Sequence, residues 1–328
     1  MIPEKVRKLL EKQHYKIVGR HSAVQICRWT KKSLRDEEVC YKEKFYGIKS
    51  HRCCQMTPAV MWCPNKCVHC WRAIEHTIGE KLGEDVDSAS DIIDGCIMAQ
   101  RKLLEGFNID EKSEKKQLSK ANQEKYLEAQ EPMQFAISLS GEPMVYDKMW
   151  ELVKELRKRR KTSFIVTNGL YPEKIQELVD RNQLPTQFYV SVNVPRKNMY
   201  QKFHRSCLPG AWERLMETLD IFSGLGCRTI FRMNLIKDLN MRDELIEDYV
   251  KLIKKARPKF IELKGFMSVG FARERLGYDR MPSYEEMKDF AQKLVSELGG
   301  EYKILDEHEF SRAFVIGKDK SELKIKEI

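Results

Sequence analysis

The chain has 328 residues, of which 42% are hydrophobic, so it can bury a sizeable core, and general disorder is excluded. No apolar run approaches the ~18 residues that span a bilayer, and the N-terminus lacks the apolar core of a signal peptide. We therefore expect a cytoplasmic protein that does not use a membrane. The net charge of +10 favours a polyanionic partner, and residues 1–54 hold fourteen Lys or Arg against six Asp or Glu.

The chain begins with a segment that predicts a short amphipathic helix, with Val6, Leu9 and Leu10 on one side. Ten cysteines follow, seven of them between positions 27 and 70. Disulfides rarely persist in the cytoplasm, so these thiols need another explanation. Cys96 and Cys227 lie in helix-like and strand-like runs and are interpreted as buried small hydrophobic residues.

Cys27, Cys40 and Cys53 are thirteen residues apart, and no single loop brings residues with that spacing together. Scattered buried thiols are one interpretation. Against it, the segment is basic, polar and poor in apolar runs. Cys54 is an alternative to Cys53 as the third member of such a set.

Cys63, Cys67 and Cys70 form a C-x3-C-x2-C cluster, CPNKCVHC. Three thiolates on one loop can hold three irons of a 4Fe-4S cluster and leave the fourth iron open. A structural zinc, with His69 or Cys54 as the fourth ligand, is the alternative. The spacing favours iron–sulfur, and the loop lies between a predicted strand and a predicted helix.

Downstream, strand-like and helix-like segments alternate, which indicates a mainly parallel sheet. Six βα units predict an α/β fold, a partial (βα)6 TIM-type barrel preceded by the cysteine-bearing N-terminal extension. The highly charged segment 109–130 is interpreted as a solvated helix and loop. We predict strands over 56–62, 133–139, 163–167, 187–193, 228–235, 259–264 and 302–306, and helices over 88–105, 146–160, 172–182, 210–223, 242–256 and 283–297.

Polar residues stand at the ends of three predicted strands, where side chains of a barrel face the active site. Gly141, Glu142 and Pro143 follow the second strand, and Thr167 with Asn168 ends the third. Ser191 and Asn193 lie near the end of the fourth. Taken singly, each could equally be a polar residue that caps a turn.

The C-x3-C-x2-C loop with the GEP stretch at 141–143 resembles the radical S-adenosylmethionine superfamily. The resemblance implies that Cys63, Cys67 and Cys70 bind a 4Fe-4S cluster whose open iron chelates S-adenosylmethionine. It also implies that His69 contacts the adenine, although an aromatic residue is commoner there. The remaining cofactor contacts would come from Gly141, Glu142, Pro143, Thr167, Asn168, Ser191 and Asn193.

Within that superfamily the chain resembles the tRNA 4-demethylwyosine synthases in their archaeal single-domain form, through CPNKCVHCWR, SLSGEP, TNG, YVSVN and IELKGFMSVG over nearly all of 20–310. The resemblance implies a second, auxiliary 4Fe-4S cluster on Cys27, Cys40 and Cys53. It implies a ring-forming carbon–carbon lyase that condenses N1-methylguanosine, beside the anticodon of phenylalanine tRNA, with pyruvate. Lys42 matches a family lysine and could form a Schiff base with the ketone of pyruvate. The resemblance also implies that the open iron of the auxiliary cluster could position pyruvate, so that Lys42, this cluster or both would hold it.

A tRNA substrate fits the positive charge, since basic surfaces bind phosphates without sequence specificity. Arg196, Lys197, Lys202 and Arg205 are the predicted RNA contacts, in a stretch that interleaves Tyr200 and Phe203. A second candidate is Arg273 to Arg280. The cluster Arg157–Lys161 is interpreted as a complement to a helix C-terminus.

We divide the chain into a basic extension with auxiliary cysteines (1–54), a radical enzyme barrel (55–310) and a charged C-terminal tail (311–328). The length leaves no room for a reductase domain, so we expect an external electron donor such as a flavodoxin or ferredoxin. Alternatives are another radical S-adenosylmethionine enzyme acting on a different RNA or a peptide, and a zinc-bearing RNA-binding protein.

Overall fold

The computed structural model describes residues 1–108 and 120–326. Its ten strands form one sheet in the order β1-β2-β3-β4-β5-β6-β7-β8-β10-β9. The strands are β1 Lys16–Val18, β2 Ser22–Val24, β3 Cys53–Thr57, β4 Gln134–Ile137, β5 Thr162–Thr167, β6 Gln187–Ser191, β7 Arg228–Leu235, β8 Phe260–Gly265, β9 Lys303–His308 and β10 Ala313–Gly317.

Strands β3 to β8 pair in parallel, each with the next in the chain, and helices connect them. The predicted six parallel strands of a partial TIM-type barrel are confirmed. The helices are α1 Glu4–Lys12, α2 Arg28–Ser33, α3 Tyr41–Tyr46, α4 Ala89–Leu104, α5 Gln123–Ala129, α6 Met149–Lys158, α7 Pro172–Asp180, α8 Lys197–His204, α9 Ala211–Phe222, α10 Ile246–Ala256, α11 Ala272–Leu276 and α12 Tyr284–Glu297.

The six predicted barrel helices correspond to α4, α6, α7, α9, α10 and α12, with ends that differ by a few residues. Side-chain capping determines where two of these helices begin. The Ser88 side chain accepts from the Asp91 N–H at the start of α4, and Ser283 with Glu286 forms a capping box at α12. The amphipathic N-terminal helix is present as α1, with Val6 and Leu10 buried.

The predicted strand over 56–62 is wrong in extent, because β3 begins at Cys53 and ends at Thr57. Pro58 follows and cannot donate to a ladder. The apolar run after it is a buried loop in which Met61 has a φ of 68°. Burial without a partner strand explains why the apolar composition misled the prediction.

The ends of the sheet are antiparallel. β1 and β2 extend it beyond β3, and β10 pairs with both β8 and β9. Residues 313–317 therefore form a buried strand inside the segment predicted as a charged tail. The division of the chain at residues 54 and 310 stays a prediction. Of the charged segment 109–130, residues 109–119 lie outside the described residues, and α5 occupies part of the remainder.

Side chains alternate between two cores. One face of the strands packs under the helices, and the other face lines the barrel interior. In the interior, Phe45 and Tyr46 of α3 pack with Phe164 of β5 and Tyr189 of β6. Helix α3 thus fills the barrel below the C-terminal ends of the strands. No helix in the described part of the chain is long and apolar enough to cross a membrane.

Candidate active site

A cavity of about 360 Å³ opens at the C-terminal ends of the parallel strands, where barrel enzymes carry their active sites. Ten predicted site residues line it together. They are Cys63, Cys67, His69, Cys70, Gly141, Glu142, Thr167, Asn168, Ser191 and Asn193. Pro143 is not among the lining residues and instead begins a short 3-10 helix over Pro143–Val145.

The loop that carries the three thiols is bound to the end of α8 by backbone hydrogen bonds. The Lys66 N–H donates to the His204 carbonyl at 2.9 Å, and the Val68 N–H donates to the Phe203 carbonyl at 3.0 Å. The His204 ring also lies within 3.1 Å of the Cys67 Sγ, through Nδ1. Helix α8 therefore sets the position of the loop.

Arg275 of α11 holds the same loop from the other side. Its Nε donates to the Val68 carbonyl at 3.2 Å, and its Nη2 donates to the carbonyls of Cys70 and Arg72. Arg275 belongs to the basic stretch 273–280 that the sequence suggested for RNA contact. Its side chain faces inward, so for this residue that interpretation is wrong.

Two of the three half-buried loop cysteines have a raised pKa. Burial raises the pKa of Cys63 to about 11 and that of Cys67 well above its ordinary value, although the guanidinium of Arg72 opposes the shift at both. Such thiols lose their protons when a metal takes the proton's place. The three loop thiols are therefore suited to bind a metal as thiolates.

The distances between the possible ligand side chains help to decide between a single metal ion and a multi-metal cluster. Among residues 1–108 and 120–326, no three His, Cys, Asp or Glu side chains stand close enough to hold one metal ion. The three thiols instead surround one end of the cavity, and the buried Nδ1 of His69 has no partner among the described residues. This arrangement fits a multi-iron cluster with a bound cofactor better than it fits a single zinc.

His69 presents its ring beside the thiols. Its ring centroid lies 5.1 Å from that of Phe203, and burial lowers the pKa of His69 to about 4, so the imidazole is neutral. A neutral flat ring at this position is compatible with stacking on a nucleobase.

Gly141 lets the GEP turn approach the cluster loop. Its φ is +88°, and a Cβ there would overlap the Ala59 carbonyl oxygen and lie 2.7 Å from that of Trp62. The neighbouring Glu142 N–H donates to the Trp62 carbonyl at 2.7 Å. No side chain larger than hydrogen fits this turn without moving buried backbone.

The Glu142 carboxylate is buried, and protein donors occupy it. It accepts from the Thr167 hydroxyl at 2.5 Å, the Asn168 N–H at 2.8 Å and the Met144 N–H at 3.1 Å. Burial raises the pKa of Glu142 to about 7 against these hydrogen bonds. Glu142 thus joins the end of β5 to the GEP turn, a role that the sequence did not indicate.

The remaining strand-end residues differ in how free they are. Asn193 is buried, and its Oδ1 accepts from the Asn234 N–H at 2.9 Å. Asn168 directs its Nδ2 toward the Cys63 Sγ at 4.0 Å. Ser191 has no side-chain hydrogen bond among the described residues and lines the cavity, so its hydroxyl is available to a ligand.

The second thiol set is brought together by three short elements tied at Ser50. The Ser50 carbonyl accepts from the Thr30 hydroxyl of α2 at 3.0 Å, and its hydroxyl accepts from the Cys40 N–H at 2.9 Å. Cys27 precedes α2, Cys40 precedes α3, and Cys53 begins β3. The three thiols are close enough to perturb one another's pKa, and burial with Cys27 nearby raises that of Cys53 to about 12.

Cys54 is separated from that set. Its side chain lies in the core under α4, where Cys96 is the nearest perturbing thiol. Cys53 and Cys54 are adjacent in β3, so their side chains point to opposite faces.

The cysteines outside the two sets differ in exposure. Cys96 is buried as predicted, Cys227 is only half-buried, and Cys207 is exposed. All ten cysteines fall within the described residues, and none forms a disulfide.

Lys42 lies in the barrel interior beside the second thiol set. Only 8% of the residue is exposed, and its Nζ stands 4.8 Å from the Tyr189 ring centroid and 5.3 Å from that of Phe164. Burial lowers the pKa of Lys42, and Glu262 opposes that shift. A buried amine with a lowered pKa spends more time as the free base, which is the nucleophilic form.

The four predicted RNA contacts divide into two pairs. Arg196 binds Asp248 and the Glu244 carbonyl, and Lys197 binds Glu213. The exposed side chains of Lys202 and Arg205 have no ion pair or hydrogen bond among the described residues. Tyr200 and Phe203, by contrast, are buried, so neither ring projects from the surface, although Phe203 lines a groove beside Lys202.

The basic cluster Arg157–Lys161 lies at the C-terminal end of α6, and several of its side chains have partners of their own. Arg157 donates to Gln183, Arg159 pairs with Asp94 and Glu155, and Lys161 pairs with Glu131.

Cavity residues that the sequence analysis missed are Arg232 of β7 and Lys264 of β8. A usable signal existed, because charged residues within otherwise apolar central strands seldom lack a function.

Comparison with known proteins places these features in a family. The Radical SAM superfamily model matches residues 58–250, and a model described as Wyosine base formation matches residues 255–318. The chain is 47% identical to the S-adenosyl-L-methionine-dependent tRNA 4-demethylwyosine synthase of Pyrococcus abyssi, over 97% of this chain and 90% of that protein. Identity to the Methanocaldococcus jannaschii synthase is 34%, over 99% and 100%.

Solved structures agree with this assignment. A structure of TYW1 with a lysine-pyruvate adduct bound superposes with a TM-score of 0.84 at 33% identity, over 99% of this chain and 98% of that one. A crystal structure of archaeal TYW1 gives 0.76 at 31% identity, over 97% of both. The superfamily implies S-adenosylmethionine and a 4Fe-4S cluster as cofactors. The chain belongs to the tRNA 4-demethylwyosine synthase family of radical S-adenosylmethionine enzymes.

Proposed function

We propose that this protein converts N1-methylguanosine, next to the anticodon of phenylalanine tRNA, into tricyclic 4-demethylwyosine with pyruvate as the carbon donor. The observation that carries the proposal is the cavity itself. It gathers three loop thiols and polar residues at the ends of five strands, β4 to β8, at the mouth of the barrel. Family membership and the relatives named as synthases support the reaction.

Cys63, Cys67 and Cys70 would hold the cluster, which supplies the electron for cleaving S-adenosylmethionine to a deoxyadenosyl radical. His69 and Ser191 offer a ring face and a hydroxyl to the cofactor. Gly141 permits the close approach of the turn, and Glu142 keeps Thr167 and Asn168 in place around it. The chain's own contribution is orientation and the exclusion of water.

Lys42 is the proposed site of pyruvate capture. Its buried amine would attack the ketone carbon of pyruvate, and the ketone oxygen would leave as water. The lysine–pyruvate adduct in the TYW1 structure supports this role. Cys27, Cys40 and Cys53 are the proposed ligands of an auxiliary 4Fe-4S cluster beside that amine, since all three interact with Lys42 electrostatically.

The tRNA would approach over α8. A groove of about 400 Å³ combines the apolar Met199 and Leu276 with the basic Lys202 and Arg205, which suits a nucleobase flanked by phosphates. We place the activity in the cytoplasm, with a flavodoxin or ferredoxin as external electron donor. Arg196 and Lys197 keep their internal partners and contribute to the positive field only.

The direct test supplies the anaerobically reconstituted protein with S-adenosylmethionine, a reductant, pyruvate and tRNA bearing N1-methylguanosine. The expected product is the tricyclic nucleoside, detected by mass spectrometry of digested tRNA. Lys42→Ala should abolish it, and Lys44→Ala, an exposed lysine in the same helix, should not. Deoxyadenosine without modified tRNA would reject the substrate assignment and keep the superfamily chemistry.

A further inference from the structure

Charged side chains lie inside the barrel between the thiol-lined cavity and Lys42. Arg232 and Glu262 are cross-strand neighbours on β7 and β8, with Arg232 Nε 3.3 Å from Glu262 Oε1. Glu262 is fully buried, whereas 24% of the Arg232 side chain is exposed to the cavity that it lines. Lys264, two residues beyond Glu262 on the same face of β8, lines the cavity as well.

Glu262 is fixed by groups other than Arg232. Its Oε1 accepts from the Tyr41 hydroxyl at 2.9 Å, and its Oε2 accepts from the Tyr46 hydroxyl at 3.2 Å. Both tyrosines belong to α3, the helix that carries Lys42. One buried carboxylate therefore fixes the position of the lysine-bearing helix and of the cavity-facing arginine.

The charges in this layer do not balance. Glu262 supplies one negative charge, whereas Arg232 and Lys264 supply two positive charges when both are protonated. Lys264 has no acidic hydrogen-bond or ion-pair partner among the described residues and donates only to the Ser311 carbonyl. The Arg232 guanidinium has an ion pair with Glu262 and no hydrogen bond in the described part of the chain. Buried positive charge without a partner is costly, so the site is built to receive an anion.

We propose that Arg232, positioned by Glu262, binds the carboxylate of the 2-oxo acid whose ketone Lys42 captures, and so selects an anionic ketone over a neutral one. The inference rests on the proposed function and adds the group that recognises its second substrate. A guanidinium whose free edge faces a cavity offers paired donors in the geometry of a carboxylate. Lys264 adds a second positive charge beside it, and Glu262, too deeply buried to reach the ligand, acts as a positioning residue.

The test compares pyruvate with pyruvamide, a neutral amide of the same shape. The full-length cluster-bearing protein is incubated with either ketone at a series of concentrations, and cyanoborohydride then reduces the carbon–nitrogen double bond on Lys42 to a stable secondary amine. Intact mass and peptide mapping measure the captured ketone. Wild-type protein should need about tenfold to a hundredfold less pyruvate than pyruvamide, the size expected of a hydrogen-bonded charge.

Arg232→Gln should bring the two ketones to within a few-fold of each other by weakening capture of pyruvate alone. Arg232→Lys, which keeps the charge and loses the paired geometry, should retain part of the preference. Glu262→Gln keeps an acceptor for the tyrosines and should also reduce the preference, which a merely structural loss would not do. Arg273→Gln, on the exposed side of α11, serves as the control and should leave the preference unchanged.

The outcomes separate this inference from the proposed function. Absence of any adduct on wild-type Lys42 refutes the proposed capture and this inference with it. An adduct whose preference for pyruvate survives in Arg232→Gln refutes the inference alone. Equilibrium dialysis with S-adenosylmethionine distinguishes the other anion at this site. Weaker cofactor binding with an unchanged ketone preference would assign Arg232 to the cofactor carboxylate and overturn the inference.

Discussion

The close approach of the GEP turn to the buried backbone before the cluster loop can be tested at Gly141, through the stability of the protein. Replacing it with Ala places a Cβ against the Ala59 carbonyl in a left-handed backbone. We expect a loss of about 2–4 kcal/mol in the free energy of unfolding, since steric overlap adds to the ~1 kcal/mol of a positive φ. Gly299 has a φ of +70° with nothing near its Cβ, so Gly299→Ala should lose only about 1 kcal/mol. Equal losses in urea unfolding would contradict the close-approach argument.

The electrostatics of the barrel interior can be tested at Lys264 through the pH dependence of the free energy of unfolding. Burial, followed by the charge of Arg232, lowers its pKa from 10.5 to about 8. Between these values the unfolded chain binds more protons than the folded chain, so stability rises with pH across that window. The shift corresponds to roughly 3 kcal/mol of stability. This stability is gained as the pH rises from about 8 to 10.5 and is lost over the same range as the pH falls.

The measurement is the difference in free energy of unfolding between wild type and Lys264→Met, followed from pH 7 to 10.5. Taking the difference cancels the tyrosines and thiols that titrate in the same range. Wild type should gain stability relative to the variant as the pH rises. A difference that stays flat would mean that Lys264 is solvated by the cavity.

Among the elements, α11 is a short helix whose main contact is with the cluster loop. Arg275 supplies three donors to loop carbonyls, and Arg273 of the same helix lies outside over the Tyr278 ring. We expect Arg275→Met to loosen the loop and lower the iron retained at Cys63, Cys67 and Cys70. Iron content and visible absorption after desalting measure this, with Arg273→Met as the matched control. Full retention in Arg275→Met would leave α8 as the sufficient support.

The same elements show what sequence patterns can and cannot reveal. The alternation of apolar runs predicted the six parallel strands and their helices, because each amphipathic element needs one partner face. It missed β10, whose five buried residues lie in a charged segment, and β1 and β2, which are three residues long. The orientations of Arg275 and Tyr200 were beyond reach, since a basic or aromatic residue on a short helix faces in or out according to tertiary contacts. The pairing of Arg232 with Glu262 joins residues thirty apart and has no local signal.

In the whole molecule, the two thiol sets reach the barrel from different directions. The loop after β3 brings Cys63, Cys67 and Cys70 to the strand ends, and α2, α3 and β3 bring the other set beside Lys42. The barrel interior between them holds Arg232, Glu262 and Lys264. Under the proposed function, this arrangement would hold the captured 2-oxo acid beneath the cofactor site, so that a base entering the mouth would meet both.

The net charge of +10 acts on RNA only where basic side chains are free. Lys202 and Arg205 stand on and beside α8, next to the loop bearing the thiols, and have no described partner. Lys154 and Lys158 are also exposed, and among the described residues Lys158 has only an exposed ion pair with Glu155 at 3.9 Å. Both lie near the C-terminal end of α6, at the opposite end of the barrel from the cavity. The two pairs therefore differ in position and not in charge.

Reversing both residues of a pair to Glu changes the net charge by the same amount in each double variant. We expect Lys202→Glu with Arg205→Glu to weaken tRNA binding and to reduce the slope of log affinity against log salt by about 1.5, since two phosphate contacts are lost. Lys154→Glu with Lys158→Glu should keep the wild-type slope. Filter binding at several salt concentrations gives both slopes. If the two variants lose affinity equally, the bulk charge attracts tRNA and α8 has no special role. A loss confined to the α8 variant would support tRNA contact at α8, next to the thiol-bearing loop.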